Sequence, residues 1–311
     1  MARPLRLEYS GAFYHVMNRG DRREAIFRGD ADRCLFLESL TTVCEKTDWQ
    51  IHAYCLMTNH FHLVAETPGA NLIAGMKWLL GTYTIRFNRR HQVSGHLFGG
   101  RYKAQLIDET EPHYLRIAVD YVHLNPARAA LIEATQKLES YAWSSYPLYL
   151  QAPNRRPRWL RVDRVLGEHG VQSDDVRGRR EFGRRMESQR QEAPGSDWNR
   201  LREGWLVGAE DFLSRLTERF TLETGEYHNA QIRQENEMEK AQRLISEKLS
   251  AIGWDRARLR KERKGHPMKI RIAREIRDQS TMTMKWIAAE LSIGSWTYLN
   301  QLLRRERLSN T

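Results

Sequence analysis

The chain has 311 residues, of which 41% are hydrophobic and 29% charged, with a formal net charge of +11 and a mean hydropathy of −0.68. That balance supports a buried core, excludes a protein built of membrane spans, and favours polyanionic partners, of which nucleic acid is the commonest. The three cysteines, Cys34, Cys44 and Cys55, form no CxxC pair, which excludes a disulfide scaffold and a cysteine-based zinc site.

The opening "MARPLRLEYS" lacks an apolar signal core, so the expected location is cytoplasmic. "GAFYHVMNRG" reads as a strand running into a turn. "DADRCLFLESLTTVCEKTD" opens on the N-cap candidate Asp30 and spaces Leu35, Leu40 and Val43 as a helix does. "IHAYCLMT" and "HFHLVAET" read as two strands joined tightly at Thr58-Asn59. "NLIAGMKWLLGTYTIRFNRRH" is a helix with Asn71 as its cap and a basic end. A strand, "RYKAQLID", follows the loop "QVSGHLFGG". The helix "EPHYLRIAVDYVHLNPARAAL" comes next, and Pro126 should bend or stop it. The order strand, helix, strand, strand, helix, strand predicts an α+β fold of the ferredoxin-like split βαβ kind, an antiparallel sheet with helices on one face and the other face open.

Beyond this first domain, residues 1–150, residues 151–200 are rich in Pro, Gly and Arg ("APNRRPRWL", "RGRREFGRR") and read as a basic linker. Residues 201–311 look mainly helical. Within them, 268–306 has the shape of a helix-turn-helix, with Ser295 to Arg305 as the recognition helix. There is no internal repeat and no GxxxxGK[ST] loop, so no nucleotide cofactor is expected.

In "CLMTNHFHLVAET", alternation along a strand puts His60 and His62 on one face and Phe61 and Leu63 on the other. Two imidazoles so placed can converge on a divalent ion, or they can simply be satisfied by hydrogen bonds. In the helix, Leu115, Val119 and Val122 form a packing stripe, while Tyr121 and Asn125 are one turn apart on a common side. Pro126 disfavours the α conformation at Asn125, so this spacing fixes direction only approximately.

Taken together, "YHVMNRGDRREAIF", "MTNHFHLV", "GHLFGGRYKAQLI" and "YVHLNPARAALI" resemble the single-tyrosine HUH transposases (IS200-like), most closely their REP-associated tyrosine transposases, over about residues 1 to 150. The resemblance implies the HUH fold, itself a split βαβ sheet. It implies a metal site for Mg²⁺ or Mn²⁺ formed by His60, His62 and Asn125, with Tyr121 as the nucleophile. The implied activity is metal-dependent cleavage and strand transfer of single-stranded hairpin (REP-like) DNA in a bacterial cell, through a 5′-phosphotyrosine. Such an ester conserves the bond energy, so rejoining needs no nucleotide. A phenol, with an ordinary pKa of about 10, needs help as a nucleophile, and a cation at the phosphate supplies it. The general base is unassigned, with His123 and His113 the nearest histidines in sequence.

The expected DNA contacts are Arg3, Arg6, Arg19, Arg22 and Arg23, then Arg86, Arg89, Arg90, Arg101 and Lys103, with Phe98 free to stack on a base from its glycine-flanked loop. Duplex DNA is an expected partner of the C-terminal part. Monomer and homodimer are both compatible with the residues. A domesticated, catalytically idle hairpin-binding regulator is the alternative from another class. A HIT-type nucleotide hydrolase would need a third histidine where Val64 stands.

Overall fold

A computed structural model describes residues 7–192, 201, 206–223 and 229–309. The chain divides into two compact units. The first comprises Met1–Cys44, Asp48–Ala70 and Leu79–Glu226; the second comprises Glu45–Thr47, Asn71–Trp78 and Tyr227–Thr311. No helix among the described residues is long and apolar enough to cross a membrane.

The first unit holds β1 (Ala12–Arg19), most of α1 (Asp30–Thr47), β2 (Gln50–Met57), β3 (His60–Thr67), the larger, C-terminal part of α2 (Leu72–His91), β4 (Lys103–Ile107) and α3 (Pro112–Arg128). The strands lie in the order β2-β3-β1-β4, all antiparallel, as the split βαβ pattern requires. A fifth strand, β5 (Leu206–Val207), pairs parallel to β4. Its two residues are too few to show alternation, so the sequence gives no sign of it. At the opposite edge Ile51 N donates to Trp159 O and Leu56 N to Trp143 O, both at 2.8 Å. Both sheet edges therefore meet further chain, which removes open edges as pairing templates.

Local detail differs from the sequence reading at two helix ends. Gly29, not Asp30, is the N-cap residue of α1, and Asp30 sits in the first turn, where its charge suits the helix dipole. Pro126 neither stops nor displaces α3 at Asn125, since the helix continues to Arg128. A proline in the last turn removes one hydrogen bond and leaves little helix to break.

The apolar face of the sheet is covered by α1 and α2. Phe36 of α1 packs tilted against Phe61 (ring centroids 4.9 Å) and edge-on to Tyr83 of α2 (5.1 Å). The histidine face is not open, contrary to expectation. α3 packs across β2, β3 and β4, and His62 is only 3% exposed. The reason is in α3 itself: Leu115, Ala118, Val119 and Val122 are all buried, and a stripe that wide has to face a sheet to leave water.

In the second unit, helices Asn229–Ala251, Arg256–Lys261, Pro267–Gln279, Met284–Glu290 and Trp296–Ser309 enclose a core that includes Ile245, Leu249, Ile272, Ile276, Ile287 and Leu299. Thr283 caps one helix through Trp286 N (3.2 Å), and Ser295 caps the last through Tyr298 N (3.2 Å). The turn between these two helices holds Ser292 at φ 50° and Gly294 at φ 100°. Buried Lys269 donates to the Ser292 carbonyl at 3.3 Å and the Glu262 carbonyl at 3.0 Å. A lysine inside a core needs such acceptors to offset its lost hydration.

Candidate active site

Strand register decides which side chains meet. Directly opposed residues share a face, so Arg19 stands beside His60 and Met17 beside His62, while His15 stands beside Gln105. His15 is diagonal to His62 on that face, and their rings stack with centroids 5.1 Å apart and planes inclined by 9°. His15 Nε2 lies 2.9 Å from His62 Nδ1, and His15 Nδ1 lies 2.7 Å from Gln105 Oε1. His60 and His62 rings are 5.1 Å apart, and His60 Nδ1 is 2.7 Å from Asn59 Oδ1.

α3 delivers Tyr121 onto this row. Its ring is edge-on to His62 at 5.7 Å and to His15 at 5.5 Å. Asn125 follows one helical turn later, and its Nδ2 is buried without a hydrogen-bond partner. His123, on the same helix, faces elsewhere: its Nε2 is 2.8 Å from Ser145 Oγ, and its ring packs 4.8 Å from that of Tyr149. His113 lies exposed near the start of α3, with Nδ1 3.8 Å from Glu111 Oε2.

The imidazoles are held neutral. Burial pushes His15 down to about 4. Burial and then the charge of Arg19 push His60 down to about 4. Burial, together with His15, His60 and Arg19, drives His62 well below its ordinary value. Neutral imidazole is the form that binds metals. No group of three or more His, Cys, Asp or Glu side chains placed to hold a metal occurs among the described residues, so a cation here would depend on the two histidines, a carboxamide and oxygens from substrate or water. An amide oxygen and the oxygens of substrate or water suit Mg²⁺ and Mn²⁺, and the neutral imidazoles add two nitrogen donors. Of the Asn125 carboxamide only Oδ1 could face a cation, since Nδ2 is a donor.

The basic residues separate into groups. Arg19 is exposed at the end of β1, and Lys103 is exposed on the same face, opposite Met17. Arg22 and Arg23 are exposed at positive φ (50° and 63°). They follow Gly20, where a Cβ would collide with the Glu24 carbonyl oxygen. Arg89 and Arg101 are exposed. Arg86 reaches Ser39 Oγ (3.2 Å) and Glu38 (3.6 Å), and Arg90 reaches Asp32 (3.4 Å). These α2 residues turn to acids of α1, and the structure does not bring them to the histidine face. Phe98 is half-buried, its ring 6.2 Å from that of Phe61 and 6.3 Å from that of Tyr83, and in its loop Gly99 N donates to Arg19 O at 3.0 Å. Arg3 and Arg6 lie outside the described residues.

His15 and Gln105 escape a reading of the sequence. Each is a polar residue between apolar neighbours in its strand, and only the pairing of three strands shows that they continue the His62 row.

Residues 8–125 match the family model described as Transposase IS200 like. No curated protein matches the chain. Among solved structures it is similar to a REP-associated tyrosine transposase bound to a REP hairpin, at 16% identity and a TM-score of 0.41, over 52% of this chain and 93% of that one. The matched residues contain β1 to β4 and α3 as far as Asn125, so the similarity to the IS200-like transposase model covers the sheet and the helix that bears Tyr121.

Proposed function

We propose that this domain cleaves and rejoins single-stranded hairpin DNA through Tyr121, with His60, His62 and Asn125 holding Mg²⁺ or Mn²⁺. The observation that carries the reading is the position of the Tyr121 ring, edge-on to His62 and within 6 Å of it. A divalent cation bound there would neutralise charge on the scissile phosphate. Tyr121 Oη forms the new ester bond to phosphorus while the bond from phosphorus to the 3′ oxygen breaks. The phenolic proton is released, and the departing 3′ oxygen takes up a proton, leaving a free 3′-OH and a 5′-phosphotyrosine. A second 3′-OH reverses the step and frees the tyrosine, with no net bond energy spent. Arg19 and Lys103, on the histidine face, hold backbone phosphates of the incoming strand.

The test is incubation of the full chain with single-stranded hairpin DNA and Mn²⁺, the hairpins being taken from repeats flanking the gene. A covalent protein–DNA adduct that Tyr121→Phe abolishes supports the reading. Hairpin binding with no adduct under any condition replaces it with that of a hairpin-binding regulator.

The second unit supports duplex binding. In its last helix Leu299 is fully buried, whereas Trp296 is 50% and Tyr298 39% exposed. Gln301, Arg304 and Arg305 are exposed as well. The two aromatics are therefore not core residues, and a helix following a tight turn presents rings, an amide and cations outward, as a recognition helix does.

A further inference from the structure

A neutral imidazole has one N–H and one lone pair, and only the lone pair can take a cation. Which nitrogen offers it depends on what the other one touches. At His60 the answer starts from Asn59. Its Nδ2 donates to the Arg23 carbonyl oxygen at 3.0 Å, which turns Oδ1 toward His60 Nδ1, 2.7 Å away. A carboxamide oxygen only accepts, so His60 Nδ1 carries the proton and Nε2 the lone pair.

At His62 the same result comes through one more ring. Gln105 Oε1 accepts from His15 Nδ1 at 2.7 Å. Neutral His15 then has its lone pair on Nε2, which lies 2.9 Å from His62 Nδ1. His62 Nδ1 must donate to it, and the lone pair of His62 falls on Nε2. His15 is 1% and Gln105 6% exposed, so water offers little competition for these bonds. Turning the Gln105 amide over would reverse every proton in the chain and leave His62 Nε2 protonated.

We propose that Asn59, and Gln105 acting through His15, are positioning residues that hold His60 and His62 in the Nδ1–H tautomer, so that both present Nε2 lone pairs to a divalent cation. The cation rests on the reading above; the tautomers do not.

The experiment uses the metal-free full chain with ¹⁵N-labelled histidine. Long-range ¹H–¹⁵N correlation near neutral pH identifies the unprotonated nitrogen of each ring. The expected result is an unprotonated Nε2 on both His60 and His62. In Gln105→Leu and in His15→Phe, His62 loses its single tautomer while His60 keeps its own, an internal check that the fold persists. Mn²⁺ affinity, followed by the electron paramagnetic resonance of the free aquo ion, falls about 10-fold or more in both variants. A protonated Nε2 on His62 in the unaltered protein overturns the proposal, and that spectrum decides the matter even where neither variant folds. An unchanged His62 tautomer in a folded Gln105→Leu protein overturns it too. Tautomers as stated with no Mn²⁺ bound would uphold the positioning and overturn the metal reading instead.

Discussion

Tyr121 stands edge-on to His62, ring centroids 5.7 Å apart and planes inclined by 77°. A contact of this kind is made between the two rings. Tyr121→Phe keeps that contact and removes only the oxygen. The variant should bind hairpin DNA with unchanged affinity and form no covalent adduct, as denaturing gels of protein incubated with labelled strand and Mn²⁺ would show.

His60 is half-buried and neutral. His60→Ala should weaken Mn²⁺ binding by about 10-fold or more, the scale on which a cation site suffers when its supporting groups alone are lost. Titration of the free Mn²⁺ signal checks this. Adduct yield should fall with it at fixed Mn²⁺ and recover in part at higher Mn²⁺.

Arg19 is exposed beside His60. Arg19→Ala should weaken single-strand binding across sequences and lower the slope of log affinity against log salt by about one, the effect of one lost phosphate contact. Arg90→Ala, whose guanidinium sits 3.4 Å from Asp32, should leave that slope nearly unchanged. Fluorescence anisotropy over a salt series separates the two.

Acid should destabilise the protein, with the buried histidines contributing. Burial, with the charge of His169 adding, holds His123 at about 3 against an ordinary 6.5. Between those values the unfolded chain binds the proton and the folded one does not, so stability rises with pH. The contribution is complete above about pH 6.5 and is lost as pH falls toward 3. His52 has the same sign, also through burial. The urea midpoint should fall from pH 7 to pH 5, and His123→Asn should flatten that fall.

In the second unit Leu299→Ala should cost ~2–5 kcal/mol through the cavity it leaves, while Trp296→Ala should cost little. Duplex binding by the full chain should show the opposite order, with Trp296→Ala the weaker binder. Chemical denaturation and a duplex gel shift, run on both variants, check the pair of expectations.

What the sequence determined by itself was periodicity and kind. Alternation in "HFHLV" placed His60 and His62 on one face, four-residue spacing put Tyr121 and Asn125 on one side of a helix, and the order of elements prescribed the antiparallel β2-β3-β1-β4 sheet. These are local properties, set by the repeat of the backbone. Tertiary structure decided what covers the histidine face and which strangers in sequence become neighbours. α3 lies over that face because its apolar stripe has to be buried. His15 and Gln105, 90 residues apart, join His62 because strand register, a property of pairing between segments, sets them on one row. Tertiary structure also set the protein neighbours of Phe98 and Arg90, which lie near Phe61 and Tyr83 and near Asp32, contacts between segments that local spacing does not encode.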